Sequence, residues 1–382
     1  MKRAEFDAAV IGGGPAGTAA AITVARLGAR VGLFEAGEFL RHKVCGEFVS
    51  AESLDVLRDL LRSMPAAEAM LRTAPVIDHT RLFLEGRVIQ ARVNPPALSI
   101  PRYALDSLLW QAATQAGVEA RSSCEVRAIH GSGPFALDTS QGEVRARAVI
   151  VAAGRWSKFK PAISTPSGPK WIGVKAHYRE QNPARSTDLY FFNHGYCGVQ
   201  PVAGDVVNAC AMVRSDRAKT LDEVLALHPA LADRSRNWQA IIEPVTTAPL
   251  IYRTPQPVRD NMMFVGDASA FIDPFVGDGI SIALRSGRLA AMDLRGVFDG
   301  TGSLDGSLAA YENDYARQFV PLVAAASRIR GVLSWPAPAR MLAFELLRVP
   351  GLMPYVIRKT RSEIRLSESP ALLEDCPAPK KI

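Results

Sequence analysis

The stretch that decides the fold is Phe6-Asp7-Ala8-Ala9-Val10-Ile11-Gly12-Gly13-Gly14-Pro15-Ala16-Gly17, continued by Thr18 to Leu27, Gly28 and then Ala29 to Glu35. Phe6 to Ile11 is a short apolar run of the kind a buried parallel strand needs. It enters a full G-x-G-x-x-G. Thr18 to Leu27 then sets small and apolar residues at helical spacing, and Gly28 stops the helix. Ala29 to Phe34 reads as a second strand with Glu35 at its end. Gly12 serves the tight turn, Gly14 lets backbone approach a pyrophosphate, and Gly17 lets helix and strand pack closely. Pro15 and Ala16 in this turn count with the glycines as cofactor contacts, and the positive end of the helix that follows faces the phosphates. Glu35, 18 residues beyond Gly17, can accept hydrogen bonds from the adenine-ribose hydroxyls. Strand, turn, helix and acid together predict a dinucleotide site, without choosing between FAD and NAD.

Working outward, the 382 residues are 48% hydrophobic and 22% charged, which suits a globular chain of two domains or one interleaved domain. The net charge of +7 could serve nucleic acid, an acidic membrane surface or an anionic ligand. No nucleic-acid motif accompanies it. Cys45, Cys124, Cys197, Cys210 and Cys376 are scattered, with no Cys-x-x-Cys, so neither a disulfide framework nor a structural metal is expected. The N-terminus lacks a small-residue cleavage site, and no uncharged apolar run is long enough to span a bilayer. A cytoplasmic protein is the expectation, with peripheral membrane contact open.

A second string settles the cofactor. Met262 to Ile280 runs Met-Met-Phe-Val-Gly-Asp-Ala-Ser-Ala-Phe-Ile-Asp-Pro-Phe-Val-Gly-Asp-Gly-Ile. It reads as a strand ending in Gly266-Asp267, then a turn opening a long helix to about Phe298. This string resembles the second FAD motif of flavoproteins with the p-hydroxybenzoate-hydroxylase fold, and is most similar to the geranylgeranyl-reductase-like branch. The resemblance implies that Asp267 holds the flavin ribityl chain, and that Pro274, Gly277 and Gly279, with Ile280, lie along the isoalloxazine. Arg41-His42-Lys43-Val44-Cys45-Gly46-Glu47 resembles the Lys-x-Cys-Gly-Glu segment of that branch, where the cysteine lies beside flavin and substrate. Cys45 is equally readable as a small buried hydrophobe. Pro101 to Asp106 opens a helix closed by Gly117 and resembles one whose arginine, here Arg102, contacts the cofactor. The same resemblance places Ala36, Arg41, Gly46 and Val126 among the cofactor contacts.

One match is imperfect. At the end of Ala148 to Val151, Ala153-Gly154 stands where aromatic hydroxylases carry Asp-Gly. That puts direct reduction by NAD(P)H in doubt and makes a separate electron donor, such as a reductase partner, an open alternative. The Trp-x-Trp-x-Ile-Pro of flavin halogenases is absent, which argues against halogenation.

The fold class expected is α/β: a Rossmann-type FAD-binding domain, an inserted antiparallel-sheet substrate domain and a C-terminal helical region. Residues 1–75, 97–165 and 255–303 would form the first, 76–96 and 166–254 the second, 304–367 the third, and 368–382 a loose tail. Thr80 to Val93 reads as a hairpin, and four strands follow between Trp171 and Val213. Ser50 and Thr220 are candidate helix caps, Thr220 in a capping box with Glu223. Trp171, Tyr178, Tyr190, Phe191, Phe192 and Tyr196 concentrate in this stretch, either as walls of an apolar substrate pocket or as ordinary core. The candidate catalytic residues are Cys45, Glu47, His194 and Tyr196, with His177 a further proton donor. Residues 321–365 hold eight basic and two acidic side chains interleaved with apolar ones, which suits a peripheral membrane contact, an entrance for lipid-like substrate, or a solvated helical cap. The expected activity is an FAD-dependent oxidoreductase, first a monooxygenase on an apolar or aromatic small molecule. The alternative is a C=C reductase of geranylgeranyl-reductase type, and a third reading is an electron-transfer flavoprotein.

Overall fold

The computed structural model describes residues 5–38, 41–156, 159, 169–272, 274, 277–333, 335–349 and 351–359. The expected tail, 368–382, and the basic residues beyond 359 lie outside them.

The apolar run becomes the strand Phe6–Ile11 at the centre of an eight-stranded sheet. Its neighbours Val31–Phe34 and Gly142–Val151 run parallel to it, with Val10 beside Leu33 and Ile150. Met262–Phe264 extends the parallel set from Gly142–Val151, and Glu119–Arg121 extends it from Val31–Phe34. One face is covered by the helices Pro15–Arg26, Arg102–Gln115 and Gly279–Asp293. Small residues make this packing close: a Cβ on Gly287 would stand 2.1 Å from the Ala16 carbonyl oxygen. Parallel strands must be covered on both faces, and the strands Val126–His130 and Phe135–Thr139 cross the other.

A second, nine-stranded sheet carries the hairpin Val76–Leu84 and Arg87–Ser99, then Ser186–Phe192, Gly195–Ala203, Val206–Arg214 and Trp171–Arg179 in spatial order. It is mixed, which corrects the antiparallel expectation. Ser186–Phe192 pairs parallel with Val76–Leu84, so the hairpin and the later strands form one sheet. Along Trp171–Arg179 the alternation is strict. Ile172, Val174, Ala176 and Tyr178 enter one core, leaving Gly173, Lys175 and His177 to the opposite face.

Local signals mostly mark ends. Gly300, at φ 79°, closes a short helix Arg295–Asp299 that follows a break at Leu294, so the long helix stops at Asp293, short of Phe298. Ser50 occupies an N-cap position but its hydroxyl bonds Asp278 instead of backbone. Thr220 does accept from the Glu223 amide, while Glu223 reaches back to Lys219, one residue earlier than a capping box requires. Leu304–Gln318 packs Tyr311 and Tyr315, both fully buried, against the Gly279–Asp293 helix. The Tyr311 hydroxyl donates to the Phe264 carbonyl at 2.8 Å, fastening the C-terminal region to the strand before Gly266. Val320–Leu333, Ala337–Leu346 and Leu352–Lys359 follow, with prolines in their first turns, as the missing N–H permits.

Candidate active site

The glycine turn is held from beneath. Gly13 N–H donates to Glu35 Oε2 at 2.8 Å, and Arg41 bonds Glu35 Oε1 at 2.9 Å. A Cβ on Gly17 would stand 1.8 Å from the Gly12 carbonyl oxygen, so only glycine allows this approach of helix to strand. The helix Pro15–Arg26 starts from Gly14 with no side-chain cap, so its dipole end is turned to the cavity. A Cβ on Gly14 would meet only Arg102 and Lys43, each 3.9 Å away.

That pair of cations is itself constrained. Arg102 is clamped by Asp106 through two bonds of 2.8 Å, and this carboxylate raises the guanidinium pKa against the opposing effect of burial. Lys43 is pushed down, first by burial and then by the charge of Arg102. Lys43 also lies 4.0 Å from Asp106, so two cations share one carboxylate beside a helix N-terminus and an open glycine backbone, an arrangement that suits a further anion.

The segment from Arg41 to Glu47 lies across this cavity and is tied down at Glu47, whose backbone sits at φ 63°. Its carboxylate is fully buried. It accepts from the Arg102 amide at 2.9 Å, from His177 Nε2 at 2.8 Å and from the buried Lys175 ammonium. Burial alone would raise this carboxyl, but the His177 hydrogen bond and the Lys175 charge overcome it and hold it below the usual value. Asn208 adds two bonds of 3.0 Å to the Cys45 and Gly46 carbonyls. His42 stacks on Tyr103 and meets the His177 ring edge-on, its own pKa lowered by burial and then by Lys175.

One cavity of about 950 Å³ joins the two sheets. Of the residues singled out from sequence, Gly12, Gly14, Pro15, Ala16, Glu35, Ala36, Arg41, Cys45, Gly46, Glu47, Arg102 and Val126 line it. Ala153, Gly154, Tyr196, Asp267, Pro274, Gly277, Gly279 and Ile280 do so as well. Gly277 takes φ 75° with the Phe48 ring against it, a turn few other residues adopt. Gly17 and Gly266 are not on the cavity wall. They work by packing, Gly266 with its amide bonded to Ser286 Oγ at 2.9 Å. His194 is a correction: it sits in the hairpin turn between two strands at φ 61°, near the charges of Arg214, Asp216, Arg217 and Arg340, and is not on the cavity wall. Glu47 lines the cavity, and its bonded carboxylate positions the Arg102 amide, Lys175 and His177.

The aromatic cluster divides. Phe191 and Tyr196 face the cavity, whereas Tyr178 and Tyr190 lie in the core on the sheet's other side. The sequence reading missed Lys43 and Lys175 as site residues. The available signal was the alternation in Trp171 to Tyr178, which puts Lys175 and His177 together on the face opposite four apolar residues. It also missed that the C-terminal helices, through Ile329, Val332, Phe344, Leu347 and Met353, close the far end.

A Rossmann-type sheet with a glycine phosphate cradle, sharing a cavity with a second sheet, is the architecture of FAD oxidoreductases with the p-hydroxybenzoate-hydroxylase fold. The chain belongs to the FAD binding domain family, whose model matches residues 5–325. It is 27% identical to the menaquinone reductase of Mycobacterium tuberculosis over 323 residues, 75% of each chain. It is also 27% identical to a digeranylgeranylglycerophospholipid reductase of Methanopyrus kandleri, over 75% of this chain and 76% of that one. Among solved structures, the flavin-dependent brominase Bmp2 superposes with a TM-score of 0.76 over 93% of both chains, at 22% identity. The residues present fit FAD: the open backbone at Gly14 and its two cations suit the pyrophosphate, and Asp267, Gly277 and Gly279 line the same cavity. No group of three or more metal-ligating side chains occurs among the described residues.

Proposed function

We propose that the protein reduces a carbon–carbon double bond of an isoprenoid or other lipid-like substrate. The observation that carries this reading is the far end of the cavity. From Cys45 outward it is walled by Leu82, Leu84, Leu189, Phe191, Leu250 and Phe271, and then by the C-terminal helices. An apolar chain gains about 25 cal/mol for each Å² it buries there, while a small polar aromatic would leave much of that wall unused. The reductase names of two relatives support the same reading, and we place it ahead of the oxygen-inserting alternative that came first from sequence. Bound FAD supplies hydride transfer.

The chain's own groups do the rest. Arg102 and Lys43 hold the phosphates. Glu47, through the Arg102 amide, Lys175 and His177, keeps the Arg41–Glu47 segment on the cavity. Cys45 and Tyr196 line the cavity and would serve as proton sources, and the apolar wall excludes water. The electron donor is a separate question. With alanine at position 153, a partner reductase and NAD(P)H are both reasonable sources.

The test is to reduce the purified holoprotein with dithionite without oxygen, add menaquinone or a geranylgeranyl lipid, and follow products by mass spectrometry. Gain of two hydrogens on the isoprenoid chain is expected. An unchanged lipid, together with a hydroxylated product once oxygen is admitted, would restore the monooxygenase reading.

A further inference from the structure

We propose that the outer face of the helix Ala337–Leu346, with its two flanks, rests on the surface of an anionic lipid bilayer. The helix is apolar on two opposed sides. Arg340, Ala343, Phe344 and Leu347 fall at i, i+3, i+4 and i+7 and line the cavity. On the other side Leu342, Leu346 and Val349 are 65%, 51% and 52% exposed, and Trp335, just before the helix, is 48% exposed. A soluble helix with one side on the core ordinarily presents polar residues on the other. Here the exposed stripe continues to Tyr355, 47% exposed on Leu352–Lys359.

Charge and length select the occupant. Residues 321–365 carry eight basic and two acidic side chains in sequence; among the described ones Arg328 is exposed, and Arg348, half exposed and 3.5 Å from Glu345, stands beside the stripe. An apolar stripe bordered by Trp and Tyr, in a segment of basic excess, suits a helix lying in the headgroup plane of an acidic membrane. None of the helices, among the described residues, is long and apolar enough to cross one. The same helix is pinned to the substrate hairpin, Arg340 to Glu85 at 2.9 Å and Glu345 to Arg87. It therefore forms a roof with its inside on the cavity and its outside on lipid. The surface contact stands on these exposed residues alone. That substrate passes beneath this roof rests on the lipid-reductase reading above.

The experiment is sedimentation of the holoprotein with phosphatidylcholine vesicles, with and without phosphatidylglycerol, which uses no substrate. Binding to the anionic vesicles is expected, and L342E/L346E should weaken it by roughly tenfold or more while thermal unfolding and bound flavin stay as in the parent. R348Q should weaken it less. Failure to bind either vesicle overturns the proposal, as does binding that salt abolishes but L342E/L346E leaves intact. A parent dimer that L342E/L346E converts to monomer would assign the face to a second copy and overturn it equally.

Discussion

At one end of the cavity stand Gly12, Gly14 and a helix N-terminus flanked by Arg102 and Lys43. At the other stand Leu82, Leu189, Phe191, Phe344 and Leu347. The first is made of backbone and fixed charge: its glycine turn and helix start lie within a few positions of each other, and two distant cations, Lys43 and Arg102, are brought to it. The second is made of side chains from the hairpin, the later strands and the C-terminal helices. A phosphate is recognised by N–H groups and cations at set positions, whereas an apolar chain is recognised by area alone. The phosphate end should therefore fail sharply on single changes, and the apolar end gradually.

The largest effect is expected between the two ends, where the Glu47 cluster joins them. Lys175→Met should lower stability by about 3–5 kcal/mol near neutral pH, since it strips a buried carboxylate of its ammonium partner. The Glu47 pKa is depressed in the fold, so this group adds stability above its unfolded value and loses it as pH falls through the folded value. The gap between parent and Lys175→Met should therefore narrow in acid, and K175M/E47Q should recover part of it. Urea titrations at several pH values measure both. An equal gap at all pH values would mean that Glu47 is not the charge involved.

Gly17→Ala comes next. Its Cβ must displace backbone, costing about 1–3 kcal/mol, and the flavin content of the purified protein should fall with it. Lys43→Met should leave folding intact while weakening FAD binding by about 1.5–3 kcal/mol, read by titrating apoprotein with FAD. If affinity is unchanged, the cation pair does not hold the phosphates. At the apolar end, Leu347→Ala should raise KM for a long-chain lipid by about fivefold, roughly 1 kcal/mol, with kcat little changed. His194→Gln is the smallest: turnover should stay within about 0.5 kcal/mol of the parent, as for an ordinary surface position. A marked loss there would show that the hairpin turn reaches the substrate.

The difference between the ends also explains what could be read without coordinates. The strand, glycine turn and helix from Phe6 to Arg26 and the Gly266-Asp267 motif are local patterns, and they appear in the fold within a residue or two. His194 was misplaced because a histidine in a hairpin turn carries no mark of which way the turn faces. Glu47 was read only as a candidate catalytic residue, because its three partners arrive from residue 102 and from residues 175 and 177, and no spacing in the chain announces that meeting. The parallel pairing of Ser186–Phe192 with Val76–Leu84 joins segments a hundred residues apart, which alternation alone cannot register.

The sequence by itself determined the dinucleotide site, because close backbone approach demands glycine at Gly12, Gly14 and Gly17 wherever else the chain goes. It also held the charge excess of residues 321–365. Tertiary structure alone decided that the helix within that stretch has one face on the cavity and one on the outside, and that Lys175 is buried to hold Glu47. Those outcomes depend on which distant surfaces meet, and burial, the quantity that sets both apolar gain and charge strength, exists only after they do.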